Sequence, residues 1–151
     1  MTGIYPKGYH AINPILRVED AAAALAFYTE AFGAAEDFRR EAGGRLLLAV
    51  VKLGDSRAML LDGQAEPEKT TGGDPRGNGL VIKLYVEDAD HVVARALACG
   101  AREEEPVEDK YFGERSGTLT DPFGFSWQIA QYQEEVPHNT IEQRMHEVLG
   151  R

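Results

Sequence analysis

The sequence predicts an α+β fold made of two tandem β-α-β-β-β modules, followed by a short C-terminal helix. Three observations lead to this prediction. The segment Ile15–Ala21 is repeated as Lys83–Ala89, and both copies are apolar strands that end at Val-Glu-Asp. A helical stretch follows each copy and ends at a glycine, Gly33 or Gly100. Strand-like segments return after both helices, and a repeat of this size indicates one supersecondary unit used twice.

In the first module, a helix is predicted over Ala21 to Phe32. Asp20 offers its side-chain oxygen to the free N–H groups of the first turn, which makes it a candidate N-cap. Gly33 supplies the left-handed residue that commonly ends a helix. Strand-like alternation then returns at Leu46 to Leu53 and at Ala58 to Leu61.

The second module repeats this order. Asp88 is the candidate N-cap of a helix over Asp90 to Cys99, and Gly100 ends it. Strands are predicted at Gly117 to Thr120 and at Ser126 to Ala130.

A chain of 151 residues normally forms one domain, and four parts are predicted within it. They are the first module at about 8–62, a linker rich in Gly and Pro at about 63–79, the second module at about 80–132, and a tail at 133–151. In the tail, a short helix is predicted over Ile141 to Leu149, with either Asn139 or Thr140 as its cap.

Composition excludes several classes of partner. The chain has 16 Lys and Arg against 25 Asp and Glu, a net charge of −9, and no basic run, so nucleic acid is not an expected partner. A single cysteine, Cys99, excludes an internal disulfide and fits a reducing compartment. Neither a signal peptide nor a long apolar segment is recognised, so we expect a cytoplasmic protein without a membrane partner.

The strands also predict which side chains face away from the core. Side chains alternate between the two faces of a strand, and one set of positions in each strand is uniformly apolar. Trp127 belongs to that set and is predicted to lie in the core with Ile129. The opposite positions are mixed and are expected to line a cavity: Asn13, Arg17, Arg57, Met59, Lys83, Tyr85, Ser126 and Gln128.

Several ordered segments resemble the vicinal oxygen chelate superfamily, which contains glyoxalases, bleomycin-resistance proteins and extradiol dioxygenases. They are 16–20 (LRVED) with Phe27-Tyr28 and Phe32-Gly33, 84–88 (LYVED) with Gly100-Ala101, and 111–117 (YFGERSG) followed by 121–124 (DPFG). The resemblance covers roughly residues 8–132. It implies the glyoxalase/bleomycin resistance fold, in which two modules form a concave mixed sheet around one site, often at a homodimer interface.

The same resemblance implies where a divalent metal would be held. In the superfamily's metalloenzymes, His or Glu side chains from the first and last strands of each module bind the ion. The matching positions here are Asn13, Met59, Val81 and Gln128. This set has neither a carboxylate nor an imidazole, which such ions require. We therefore expect no metal site and no cofactor.

Other side chains with possible chemistry have simpler interpretations. The four histidines do not share a metal-ligand spacing, and Cys99 is interpreted as a small buried hydrophobe. Glu103 to Glu105 is interpreted as a solvated run, and Asp121 to Gly124 as a turn. Two interpretations remain open for Tyr111 to Arg115: a wall of a ligand site, or core closure with Arg115 paired to Glu114 or Asp121.

The functional hypothesis is a small-molecule binding protein of bleomycin-resistance or glyoxalase-like type, and whether it is an enzyme stays open. A negative chain suits a cationic or neutral organic ligand. The candidate binding residues are Asn13, Met59, Lys83, Tyr85, Tyr111, Phe112, Arg115 and Gln128. A homodimer is expected, because the partly apolar cavity face would be open in a lone subunit.

Two alternatives are enzymatic. One is a metal-dependent lyase, isomerase or dioxygenase of the superfamily, which alone would require a divalent metal. The other is metal-free acid–base catalysis by Lys83, Tyr85 or Arg115, in which a lysine with a pKa shifted by burial could serve.

Overall fold

The computed structural model describes residues 3–74 and 79–150. Within them lie eight strands and three helices. Sheet A contains β1 (Ile15–Val18), β2 (Ala35–Ala42), β3 (Arg45–Leu53) and β4 (Ser56–Asp62). Sheet B contains β5 (Ile82–Tyr85), β6 (Arg102–Asp109), β7 (Glu114–Thr120) and β8 (Ser126–Tyr132). The helices are α1 (Ala21–Phe32), α2 (Ala89–Ala98) and α3 (His138–Leu149). Part of the predicted linker, residues 75–78, lies outside the described residues.

The two sheets have the same topology, which confirms the internal repeat. The strand order is β1-β4-β3-β2 in sheet A and β5-β8-β7-β6 in sheet B. In each sheet the first strand runs parallel to the last, and the remaining neighbours are antiparallel. The helix after the first strand provides the crossover that a parallel pair requires. The predicted α+β fold with two β-α-β-β-β modules is therefore correct.

The predicted N-caps of α1 and α2 are confirmed, but α2 ends at Ala98 with Cys99 as its C-cap, one residue before the predicted Gly100. Asp20 Oδ1 accepts a hydrogen bond from the N–H of Ala23, and Asp88 Oδ1 accepts one from the N–H of His91, both at 3.1 Å. Gly33 ends α1 in the left-handed conformation, with φ of 70°. Both modules therefore start their helices by the same local mechanism.

The sequence did not identify two strands, β2 and β6, individually. Both lie at the edge of their sheets, and all residues of β2 are exposed. In β6 only Val107 is partly buried, and the Glu103–Glu105 run is exposed as predicted but belongs to this strand. An exposed edge strand has no apolar alternation, so the usual sequence signal is missing.

Helices α1 and α2 and the inner faces of both sheets share one hydrophobic core, to which α3 contributes no buried residue. At its centre is a cluster of five aromatic rings with centroid separations between 4.8 and 6.0 Å: Phe27, Tyr28, Phe32, Phe123 and Trp127. Trp127 is only 1% exposed, which confirms its predicted core position. Burying each ring stabilises the fold by roughly 1.5–3 kcal/mol, so this cluster is a main link between the modules.

A buried carboxylate in this cluster also joins the modules. Asp121 Oδ1 accepts hydrogen bonds from the N–H groups of Phe123 and Phe125, both at 2.9 Å, which forms the predicted turn. Its Oδ2 accepts from Trp127 Nε1 at 2.8 Å and from the hydroxyl of Tyr28 on α1. Burial raises the pKa of Asp121, although the hydrogen bonds from Tyr28 and Trp127 act in the opposite direction. The turn is therefore also a contact between modules.

The C-terminal helix differs from its prediction at the N-terminal end. It starts at His138, after Pro137, which makes no side-chain cap hydrogen bond. Asn139 and Thr140 lie inside the helix, so the prediction that one of them is its cap is wrong. Proline disfavours the helical conformation in the residue before it, which places this boundary at the proline itself. No helix among the described residues is long and apolar enough to cross a membrane.

Candidate functional site

Each sheet has a face that points away from the shared core, and we call it the outward face. In sheet A this face is mainly apolar. Two rows of residues, paired from strand to strand, cross it. The first row is Ile15, Met59, Val50 and Phe38, and the second is Arg17, Leu61, Leu48 and Arg40. Apolar side chains thus occupy the two central strands, while each edge strand carries one apolar residue and one arginine. Met59 lies here, on the face that was predicted for it.

In sheet B the outward face is polar. The paired rows are Lys83, Gln128 and Thr118, then Tyr85, Ala130 and Ser116, with Glu114 next along β7. Three of the predicted site residues, Lys83, Tyr85 and Gln128, therefore lie next to one another on this face. The register of β5 against β8 produces this arrangement, because it sets Lys83 beside Gln128.

Glu114 is the centre of this face. Its side chain is almost fully buried, and its Oε1 accepts a hydrogen bond from Lys83 Nζ at 2.6 Å. The Tyr85 hydroxyl donates to its Oε2. We call these three residues the Lys83–Tyr85–Glu114 triad.

The triad covers the middle of the sheet. Lys83 and Tyr85 are on β5 and Glu114 is on β7, so both donors must reach across β8. Neighbouring strands are about 4.8 Å apart, so β5 and β7 are separated by two such spacings, roughly 9–10 Å, which only long side chains can span. Beneath them, Ala130 and Ser116 are completely buried.

The electrostatics of the triad bear on acid–base chemistry. Burial by itself would lower the pKa of Lys83, but the hydrogen bonds to Glu114 and Tyr85 outweigh it and raise that pKa. Lys83 is therefore an ammonium ion at neutral pH and has no lone pair to accept a proton. This arrangement argues against the hypothesis of a burial-shifted lysine base.

Aromatic rings border the ammonium group. Lys83 Nζ lies 5.0 Å from the ring centroid of Tyr85 and 5.7 Å from that of Phe112. Tyr111 packs edge-on against Phe112, with centroids 5.1 Å apart. A cation beside aromatic faces is attracted by their quadrupoles. The predicted aromatic pair of the 111–115 segment thus lies beside Lys83, and we call Tyr111 and Phe112 the aromatic wall.

Ser116 Oγ is buried and has no hydrogen-bond partner among residues 3–74 and 79–150. It lies two residues after Glu114 on β7, so both side chains are on the outward face. A buried hydroxyl without a partner costs roughly 1–3 kcal/mol, which makes this position energetically unusual.

The remaining predicted residues lie elsewhere. Asn13 precedes β1, is exposed, and donates to the carbonyl of His10 at 2.7 Å. Arg115 alternates with Glu114 and lies on the other face of β7, where it pairs with Asp90 at 2.7 Å and with Asp109 at 3.2 Å. Of the two interpretations left open for this segment, the one in which Arg115 pairs with Glu114 or Asp121 is therefore wrong in its pairing.

The residues present do not fit a divalent metal. Met59 and Gln128 lie on the outward faces of different sheets, and neither has an anionic group. Glu114 is a carboxylate, but Lys83 and Tyr85 already occupy both of its oxygens. Within the described ranges, no three His, Cys, Asp or Glu side chains come together as a metal site would require.

A cavity of about 310 Å³ between the modules is separate from the triad. Its lining combines apolar side chains such as Ile15 and Phe125 with the backbone of Gly72, Gly73 and Gly124. Ser126, which was expected to line a cavity, lines this one. None of the eight candidate binding residues does, so we place the candidate site on the outward face of sheet B.

Sequence reasoning missed Glu114 and Ser116 as members of the site. Both lie in the segment 111–117 that carries the family resemblance. The alternation of Glu114, Ser116 and Thr118 along one strand was a usable signal. It required the start of β7 to be placed three residues earlier than predicted.

Comparison with known proteins shows where similar sequences and folds occur. Residues 10–129 match the family model described as Glyoxalase/Bleomycin resistance protein/Dioxygenase superfamily. The uncharacterised protein Rv0887c of Mycobacterium tuberculosis is 35% identical over 144 residues, which cover 89% of this chain and 82% of that protein.

Two solved structures extend the comparison. The gene product At5g48480 of Arabidopsis thaliana is 30% identical with a TM-score of 0.64, over 81% of this chain and 98% of that one. TioX from Micromonospora sp. ML1 is 23% identical with a TM-score of 0.64, over 82% and 98% of the two chains. The second likeness concerns the fold alone.

Proposed function

The chain belongs to the Glyoxalase/Bleomycin resistance protein/Dioxygenase superfamily, and we propose that it binds a small organic molecule on the outward face of sheet B, without metal-dependent chemistry. The Lys83–Tyr85–Glu114 triad beside the aromatic wall is the observation that carries this proposal. A few placed polar groups next to aromatic rings are typical of small-molecule sites.

The triad also favours a class of ligand. The charges of Lys83 and Glu114 compensate each other at 2.6 Å, so the site offers little net charge. Lys83 keeps N–H groups beyond the one given to Glu114, and Phe112 presents a flat apolar surface. We therefore favour a neutral, planar ligand with a hydrogen-bond acceptor. A cationic ligand, the other sequence-based expectation, would gain no net attraction from this compensated pair, because Lys83 already neutralises the carboxylate of Glu114.

The donor set argues against the alternative of a metal-dependent lyase, isomerase or dioxygenase. Asn13, Met59, Val81 and Gln128 stand at the positions where the family resemblance implies ligands, and none is an anion or an imidazole. Glu114 is held by Lys83 and Tyr85. Metal analysis of protein purified without chelator tests this point, since stoichiometric bound metal would overturn the proposal.

We further propose a homodimer. In the single chain, Ile15 is 53% exposed and Phe38 is 37% exposed on the outward face of sheet A. An apolar face of this kind commonly marks an interface. Light scattering at micromolar concentration should give twice the chain mass, and a strict monomer would contradict the dimer.

Ligand binding is tested by a thermal-shift screen of neutral aromatic carbonyl compounds, followed by titration of any compound that raises the melting temperature. Phe112→Ala should weaken binding by about 1–3 kcal/mol, as loss of a binding anchor does. Tyr5→Ala removes an exposed aromatic residue far from the triad in sequence and serves as the control. Equal loss of affinity in both variants would contradict the assigned site.

A further inference from the structure

We propose that the C-terminal segment 133–149 positions the aromatic wall, and that Arg144 is its positioning residue. This inference rests on the proposed function, because it assigns a role to one wall of the same site. The segment lies outside the internal repeat, so the first module has no counterpart to it.

The two modules differ at the hairpin that carries the wall. Between β2 and β3 the turn consists of Gly43 and Gly44 only. Between β6 and β7 the loop contains four residues, Lys110 to Gly113, including Tyr111 and Phe112. Hydrogen bonds from Lys110 N to Glu114 O (2.6 Å) and from Gly113 N to Lys110 O (3.2 Å) close the base of this loop. They leave its tip to be held by other contacts.

The chain leaving β8 holds one end of the loop. The N–H groups of Gln133 and Glu134 both donate to the carbonyl of Gly113, at 2.9 and 3.2 Å. Gly113 is buried and has φ of 93°, which favours glycine. A Cβ at this position would also collide with the carbonyl oxygen of Glu134 and approach Val136. The loop and the tail thus fit closely at this point.

Helix α3 holds the other end. Arg144 Nη1 donates to the carbonyl of Tyr111 at 3.0 Å, and the same group lies 4.0 Å from the carboxylate of Glu134. Phe112 lies between the two anchored residues, Tyr111 and Gly113. Its ring is 5.7 Å from Lys83 Nζ, so fixing the loop fixes the wall relative to the triad.

The experiment uses the full chain with Arg144→Ala, Arg144→Lys and, as a matched control, Gln143→Ala. Gln143 is the exposed neighbour of Arg144 on α3. Hydrogen exchange measured on peptides covering 110–116 reports the loop directly. Binding of the dye 8-anilinonaphthalene-1-sulfonate reports the wall, and Phe112→Leu identifies the dye signal that depends on it.

We expect Arg144→Ala to speed exchange in the loop and to weaken the Phe112-dependent dye binding roughly three- to tenfold, because a loose wall must be ordered on binding. Arg144→Lys should retain most of the wild-type protection from exchange and most of the dye binding, and Gln143→Ala should change neither. The melting temperature of each variant should stay within roughly 2 °C of the wild type. Restoration by lysine would separate positioning from a general loss of structure.

Unchanged loop exchange in Arg144→Ala would overturn the inference. Gly113→Ala provides a second test if Arg144→Ala proves unstable. It disturbs the other contact between the loop and the tail, the one with Glu134 and Val136, and should also speed exchange at 133–136. A third outcome is possible: Arg144→Ala speeds exchange in the loop, but the wild type shows no Phe112-dependent dye binding. This outcome would support positioning by the tail and contradict the proposed function.

Discussion

The two modules share one topology, but their outward faces differ in chemical character: one is mainly apolar and the other is polar. Sheet A presents apolar rows centred on Met59 and Val50, whereas sheet B presents the Lys83–Tyr85–Glu114 triad. The inner faces of both sheets are apolar and belong to one core. The repeat therefore constrains the side chains that pack between the modules and leaves the outward faces free to differ. We interpret the first face as an interaction surface and the second as the ligand site.

A second contrast concerns the start of each helix. In the first module, the N–H of Ala21 donates to Asp62 Oδ2 at 2.8 Å. In the second, the N–H of Ala89 donates to Gln131 Oε1 at 3.0 Å. Both acceptors come from the last strand of their module. The two modules thus repeat the position of this acceptor but not its charge, since one acceptor is a carboxylate and the other an amide. Arg45, at 2.8 Å, balances the charge of Asp62.

The largest effect on stability is expected from replacing the two buried aspartates, Asp121 and Asp62. Asp121→Ala should reduce the free energy of unfolding by about 3–5 kcal/mol, because Tyr28 and Trp127 lose a shared acceptor in the core. Asp62→Ala should cost about 2–3 kcal/mol, since the half-exposed Arg45 can be solvated instead. Urea unfolding of both variants measures the difference. An Asp62→Ala loss equal to or greater than that of Asp121→Ala would contradict this ranking.

The next effect compares the outward faces. Lys83→Met leaves Glu114 buried without its cation and should cost about 2–3 kcal/mol of stability. The double variant Lys83→Met/Glu114→Gln should recover much of this loss, because no unpaired charge remains. Arg17→Met, on sheet A, breaks a more exposed pair with Glu66 and should cost about 0–1 kcal/mol. A double variant less stable than Lys83→Met would show that the triad does not act as a charge pair.

The pH dependence should separate Asp62 from Asp121. Burial alone would raise the pKa of Asp62, but hydrogen bonds from Arg45, Ala21 and Gln64 lower it. Its stabilising contribution is thus present above the unfolded pKa of about 3.9 and is lost as the pH falls through the folded value. The pKa of Asp121 is raised, so its contribution is present below the unfolded pKa and is lost as the pH rises through the folded value.

The free energy of unfolding of Asp62→Asn and Asp121→Asn is measured from roughly pH 3 to 7, a range that includes the unfolded pKa. These curves check the direction of each pH dependence. The difference from wild type should shrink on acidification for Asp62→Asn and grow for Asp121→Asn. Parallel curves for the two variants would show that their environments do not differ as described.

The smallest expected effect concerns the two faces of β7. Arg115 pairs with the exposed carboxylates of Asp90 and Asp109, so Arg115→Ala should lower the free energy of unfolding less than any variant above, because exposed ion pairs are screened by water. Ligand binding should be unchanged, because Glu114 and not Arg115 lies on the outward face. Titration of the same compound with Arg115→Ala and Phe112→Ala compares the faces directly, and an equal loss of affinity would place Arg115 in the site.

Local features of this protein could be predicted from the sequence alone. The helix α1 spans the predicted residues, and the caps Asp20 and Asp88 act as expected. The core position of Trp127 also follows from alternation within its own strand. These features depend on neighbours a few residues away, whose spacing is written directly in the chain.

The tertiary structure decided which distant groups meet. Glu114 binds Lys83 and Tyr85 because β8 lies between β5 and β7, and Arg115 finds Asp90 because α2 packs beside its face of the strand. Asp121 reaches Tyr28 only when the two modules pack together. The sequence shows that these residues are polar. It does not show which of several possible partners each long side chain contacts, because that depends on strand order and register. For this reason the fold was predictable here, while the composition of the site depended on the packing of the whole chain.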